Sequence, residues 1–278
     1  MATIFNESTV GGEVAGAGAL RQPLLTPQRV PGSTIRLDRI ALAPGGRLML
    51  DVPAASAAWL QMLTGVVNLE RAGESHALGD SHIVFLPPGR SAGVASAQGA
   101  VFLYGEIPDA ASIDPDFATQ PPGFHLADWS REPVLSSQHD ARRRVYLVTP
   151  KLFGTKAIKG EMIFYPPGTA AANHHHEGAE HFMYVTRGRG TVFPNGQPHR
   201  VRTGDVIHYA DREPHYLAAD PDDELVFAEF FAPGECLTVW ADDNVACTWL
   251  PTGRDMRGQV PVREIKAHRH GAASAQDV

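Results

Sequence analysis

Cysteine is almost missing from this chain. Cys236 and Cys247 are its two examples, too few for a disulfide framework and wrongly placed for a cysteine-based zinc site, so a reducing, cytoplasmic setting is expected. An excess of basic charge is missing too: 24 Lys and Arg stand against 31 Asp and Glu, a formal net charge of -7. That balance gives no footprint for nucleic acid, and the run Arg142-Arg143-Arg144 reads as a solvated connection. Nowhere does an apolar run approach the ~18 residues that would cross a bilayer. The first twenty residues also lack the basic start and apolar stretch of a secretion signal, so a soluble protein without a membrane partner is expected.

What the chain does have is punctuation. With 22 Pro and 27 Gly among 278 residues, it suits many short strands joined by turns far better than long helices. An apolar fraction of 43% is enough for a packed core and excludes general disorder. The same skeleton of turns occurs twice. Ala43-Pro44-Gly45 is followed by a β-patterned run to Gly65, a second run, Gly79-Asp80, and Leu86-Pro87-Pro88-Gly89. Pro166-Pro167-Gly168 is followed by a run to Gly188, a second run, Gly204-Asp205, and Ala210-Asp211-Arg212. The intervals Gly45 to Gly65 and Gly168 to Gly188 are equal, and each glycine reads as a hairpin turn between strands. The expected fold class is therefore all-β, in two tandem units. Residues 1–140 would form the first with its connection, residues 141–265 the second, and 266–278 a disordered tail. The Pro-, Asp- and Ser-rich stretch from Pro108 to Ser137 reads as the connection, with a helical turn or two.

Histidines single out the second unit. His174 and His176 lie two apart on a strand and so share a face, with His175 turned away. His181 can return to the same cavity at the head of the next strand, and His215 follows the Gly204-Asp205 turn. Four neutral imidazoles suit one divalent transition metal, Mn, Fe, Ni or Zn, without choosing among them. Glu180 is the rival to His181, but it falls on the opposite strand face. Superposing the first copy by its equal interval puts Asp51, Pro53 and Ala58 where His174, His176 and His181 stand, and Ala92 opposite His215, so the metal is expected in the C-terminal barrel alone. His76 and His82 read as surface or packing groups. His199 and the tail pair His268 and His270 have no ligand context, and His208 is divided between the cavity and simple packing.

These residues make the chain resemble the cupin superfamily. Its first motif, G-x5-H-x-H-x3-4-E-x6-G, is matched by Gly168, His174, His176 and Gly188, with His181 in the place of the glutamate. Its second, G-x5-P-x-G-x2-H-x3-N, is matched by Gly204 and His215, with Ala210, Arg212 and Ala219 in place of proline, glycine and asparagine. The resemblance implies two jelly-roll barrels, a catalytic metal with open positions for a small-molecule substrate, and pairing into a homodimer or higher homo-oligomer. Met162, Phe164, Met183 and Val185 would line the cavity, and Glu229, set between aromatics, would act as a general base. Among two-barrel cupins the chain is similar to the (S)-ureidoglycine aminohydrolases in its length and in its Leu24-Leu25-Thr26-Pro27 opening. That likeness implies a metal-free first barrel, manganese in the second and C–N hydrolysis. His174 and His215 replace that family's glutamate and glutamine ligands. The four-histidine set also resembles the Fe(II) dioxygenases of diketones and aromatic diols, and a third reading is a cupin that binds a small ligand without turning it over.

Overall fold

The computed structural model describes residues 2–242, 247–269 and 278. Short strands account for most of it, and the one α-helix among the described residues is the single turn Pro150–Phe153. No helix there is long and apolar enough to cross a membrane. The chain divides into two compact units. One holds Glu7–Trp129 and Phe153–Ala157; the other holds residues 2–6, Ser130–Leu152 and the described residues from Ile158 onward.

In the first unit a seven-stranded antiparallel sheet runs in the order His125–Asp128, His82–Leu86, Ala57–Gly65, Ala100–Ile107, Arg36–Leu42, Ala19–Leu25 and Glu13–Gly16. A four-stranded sheet, Gly46–Asp51, Ser91–Ser96, Val67–Arg71 and Glu74–Leu78, faces it. Alternate residues of both turn inward, as a two-sheet barrel requires, and Ile40, Leu50, Leu60, Met62, Val84, Val94 and Phe102 fill the space between them.

The second unit repeats this plan. Its large sheet runs Thr3–Asn6, Asp205–Tyr209, Glu180–Val192, Leu225–Ala232, Lys159–Tyr165, Arg143–Val148, Leu135–Ser137, Thr248–Pro251 and His268–Arg269. Across from it lie His174–Glu177 paired with Leu237–Trp240, and the distal part of Glu180–Val192 paired with His199–Arg202 and Leu217–Ala219. Ile163, Met183, Val185, Ile207 and Phe227 pack inside.

Several expectations are corrected. Gly188 is not a hairpin: it lies within one 13-residue strand, Glu180–Val192, at the point where the chain passes from one sheet to the other. Its φ of 79° is left-handed, and a Cβ there would sit 1.8 Å from the Glu224 carbonyl oxygen. Gly65 has the same role at φ 82°, with a Cβ position 2.5 Å from the Gly99 carbonyl oxygen. The equal glycine interval thus marks two equivalent sheet corners. Pro108 to Ser137 is more than a connection, because it supplies His125–Asp128 to the first unit and Leu135–Ser137 to the second. The compact units part at Ser130, not near 140. In the stretch read as a disordered tail, His268–Arg269 pairs with Thr248–Trp249, and His268 is buried. Residues 270–277, His270 among them, lie outside the described residues.

The register also shifts the superposition of the two units. His174 bridges His215 as Leu50 pairs with Ala92. The counterparts of His174 and His176 are therefore the buried Leu50 and Val52, one residue before Asp51 and Pro53; Asp51 itself is exposed. The interior positions that carry imidazoles in the second unit carry Leu50, Val52, Ala58 and Ala92 in the first, all apolar.

Candidate metal centre

His174, His176, His181 and His215 are all buried and come together inside the second barrel. Strand alternation turns His174 and His176 to one side while His175 and Glu177 stay partly exposed. The rings of the four lie close: 5.0 Å between centroids for His174 and His176, 4.8 Å for His176 and His181, 4.8 Å for His181 and His215, and 4.6 Å for His174 and His215. Two overlapping ligand sets result, His174, His176 and His215 in one and His176, His181 and Glu229 in the other, each with its ligand atoms within 4.8 Å of one another. His176 belongs to both.

Hydrogen bonding settles which ring nitrogens face inward. The Nδ1 of His174 lies 2.8 Å from the Ala172 carbonyl oxygen, and that of His215 2.8 Å from the Glu213 carbonyl oxygen. A carbonyl only accepts, so both Nδ1 atoms donate and both Nε2 lone pairs remain. The Nδ1 of His176 meets the Thr238 hydroxyl at 3.1 Å. Such outer contacts orient metal-binding imidazoles. Among the described residues, His215 Nε2 and both ring nitrogens of His181 are buried without a hydrogen-bond partner. Orphaned buried nitrogens are costly unless a bound group satisfies them. Three of the rings are also held in their neutral form. Burial, and then the neighbouring His215, holds His174 and His181 well below the usual histidine range, while burial lowers His215 to about 4. Neutral, convergent, orphaned imidazoles are the donor set that a divalent transition metal takes.

Glu180 does not enter the cluster. Its carboxylate lies 2.6 Å from His208 Nε2, and both side chains sit on the other face of their strands from His181 and Tyr209. The even division over His208 thus resolves toward packing. Glu229 does face the cavity, buried on Leu225–Ala232, with Oε1 3.6 Å from His181 Nε2. Burial, and then the adjacent Glu161 carboxylate, holds its carboxyl well above the usual carboxylate range. That direction favours the protonated form of Glu229, the form that donates a proton, over the carboxylate that the general base expected from sequence requires.

Sequence reasoning missed the charged wall of this cavity. Arg142 and Arg144 are buried, not solvated. Arg142 places Nε and Nη2 on the two oxygens of Asp140, at 2.9 and 2.7 Å. Arg144 pairs with Glu161 at 2.8 Å and lies over the Trp249 ring at 3.9 Å. Lys159 is buried nearby, over the Tyr146 and Phe231 rings. The signal was present in alternation: 142 and 144 share one face while the exposed Arg143 takes the other. Lys159–Tyr165 is buried on both faces and turns Ile163 and Tyr165 into the cavity, so Met162 and Phe164 point away, whereas Met183 and Val185 lie inside. The remaining space, ≈ 20 Å³, holds about one water. It is bounded by Arg142, Arg144, His174, His176, Glu229 and Trp240.

Residues 161–231 match the cupin-domain family model. No curated protein matches the chain. Among solved structures, it is similar to protein Ylba from E. coli, at 14% identity and TM-score 0.68 over 83% of this chain and 90% of that one. The putative glyoxylate-induced protein from Pseudomonas aeruginosa matches at 14% identity and TM-score 0.69, over 87% and 92%. A mutant of the oxalate decarboxylase of Bacillus subtilis, an enzyme described elsewhere with Mn(II) centres, matches at 18% identity and TM-score 0.66, over 86% and 79%. The second barrel thus carries a cupin-domain match, and the chain as a whole shares its two-barrel fold with these solved structures.

Proposed function

We propose that the second barrel holds one divalent transition metal on His174, His176, His181 and His215, and acts as a hydrolase on a small, carboxylate-bearing metabolite, with C–N cleavage of the ureidoglycine type as the specific reaction. The first barrel, apolar at the matching positions, is the scaffold. One observation carries this reading: four buried imidazoles converge beside Glu229, whose carboxyl burial holds well above the usual carboxylate range. When bound, such a metal polarises a carbonyl and lowers the pKa of water.

The chain's own residues supply the rest. Glu229 holds a proton at the cavity wall and can pass it to a departing amine. Arg142, Arg144 and Lys159 contribute three buried positive charges; Asp140 and the Glu161–Glu229 pair, with one of its carboxyls protonated, contribute two negative ones. The surplus of one positive charge favours an anion, and a carboxylate matches the guanidinium fork. Burial keeps the Tyr165 hydroxyl, pushed up to about 12, protonated beside Arg142 Nη1 at 3.2 Å. Trp240, 4.9 Å from the His174 ring, closes one side against water.

The absence of a carboxylate from the four-histidine set favours a second reading, an Fe(II) dioxygenase. Ammonia release from ureidoglycine, run beside an oxygen-electrode trace with diketones and aromatic diols, separates the two. Ammonia without oxygen uptake is the expected result; oxygen uptake with iron in the protein would overturn the hydrolase.

A further inference from the structure

The buried wall extends past Arg144 to a residue that sequence reasoning left in the tail. His268 is buried, and its Nδ1 lies 2.9 Å from the Lys266 carbonyl oxygen. The carbonyl can only accept, so Nδ1 carries the proton. The ring is neutral at neutral pH, because burial lowers its pKa, and Nε2 is therefore an acceptor. It lies 2.7 Å from the Tyr146 hydroxyl, which must donate to it. With its proton committed, that hydroxyl presents a lone pair to Arg144 Nη1 at 3.2 Å. The same nitrogen lies 2.8 Å from the Glu161 carboxylate, an ion pair that holds the guanidinium by charge. Every donor and acceptor from Lys266 to Arg144 is thus fixed in one direction.

The first barrel shows what this chain of contacts adds. There Arg21 and Asp38 occupy the registers of Arg144 and Glu161, paired at 2.7 Å. Pro23 stands where Tyr146 stands, and the Arg21 side chain is 44% exposed against 3% for Arg144. The ion pair alone does not hold a guanidinium inside the barrel.

We propose that His268 is a positioning residue: by accepting the Tyr146 hydroxyl proton it fixes Tyr146 and Arg144 and so holds the Arg144 guanidinium at the cavity wall, where it meets the carboxylate of the substrate. This rests on the carboxylate reading of the cavity. Fixed orientation matters because a guanidinium recognises a carboxylate through its planar geometry and not only through its charge.

The test uses the full-length protein with the metal it carries, and acetate as the probe, titrated by calorimetry into wild type, His268→Leu, His268→Gln and Tyr146→Phe. Glutamine can offer an amide oxygen near the place of Nε2, while leucine cannot accept. The acetate Kd is expected to rise about tenfold in His268→Leu and Tyr146→Phe, the worth of one charge-assisted contact. It should stay within about twofold in His268→Gln, with metal content equal in all four. Unchanged affinity in His268→Leu and Tyr146→Phe would overturn the inference alone. A wild type that does not bind acetate would overturn the carboxylate reading and this inference with it. Nitrogen NMR of His268 supplies a readout independent of binding: a protonated Nδ1 is expected, and a protonated Nε2 would overturn the chain of donors outright.

Discussion

Removing Arg144 should cost far more than a surface arginine. Its side chain is 3% exposed, it pairs with a fully buried Glu161, and its guanidinium is 3.9 Å from the Trp249 centroid. Arg144→Met keeps most of the volume but leaves the Glu161 charge buried beside Glu229 with Lys159 as its near cation. Breaking a buried pair by deleting one partner costs about 3–5 kcal/mol. At about 2–4 °C per kcal/mol for a domain of this size, the melting transition of the second barrel should fall by ~6–20 °C. Replacing both partners, Arg144→Met with Glu161→Leu, removes the stranded charge and should return stability to within about 1 kcal/mol of wild type. Urea unfolding of the two single variants and the double variant completes the cycle. A loss under about 1 kcal/mol in Arg144→Met would refute the reasoning, since it would mean that water reaches Glu161.

Three further outcomes follow from the same structure. Glu229→Gln cannot donate an acidic proton yet keeps shape and neutrality, so turnover should fall by about 10²–10⁴ with little change in melting temperature; unaltered turnover would remove Glu229 from the chemistry. Gly188→Ala forces a left-handed φ on alanine and a Cβ against the Glu224 carbonyl, and should cost more than the ~1–3 kcal/mol of backbone strain alone, read by urea unfolding; a neutral effect would refute the sheet-corner role. In protein stripped of metal, the folded state holds His215 neutral down to about pH 4, whereas unfolded imidazoles protonate near 6.5. The unfolded state therefore binds more protons between those values, and stability should fall as pH drops from about 6.5 toward 4. A melting temperature flat across that window would contradict burial of neutral rings.

The architecture was legible because turns and strand alternation are local. Gly45-to-Gly65 and Gly168-to-Gly188 revealed the repeat, although only the pairing partners show that Gly65 and Gly188 bend a strand instead of reversing it. The spacing of His174, His176, His181 and His215 foresaw a cluster that the fold does assemble. The charged wall was illegible for a physical reason. Three arginines in a row normally lie in water, and what brings two of them inside is Asp140, Glu161 and Trp249, the last about a hundred residues away in the chain. The phase of Lys159–Tyr165 was equally hidden, since a strand buried on both faces shows no contrast between them. His268 had no local context at all. Its partner, Tyr146, lies on a strand 122 positions earlier.

The central claim is a metal held by the histidine cluster, and His176 is its most diagnostic member because both ligand sets include it. Elemental analysis of untagged protein should therefore be made on wild type and on His176→Ala together. About one divalent transition metal per chain in wild type, lost in His176→Ala while the fold persists by circular dichroism, is the result expected. Metal absent from wild type, or retained in full by His176→Ala, would contradict the account.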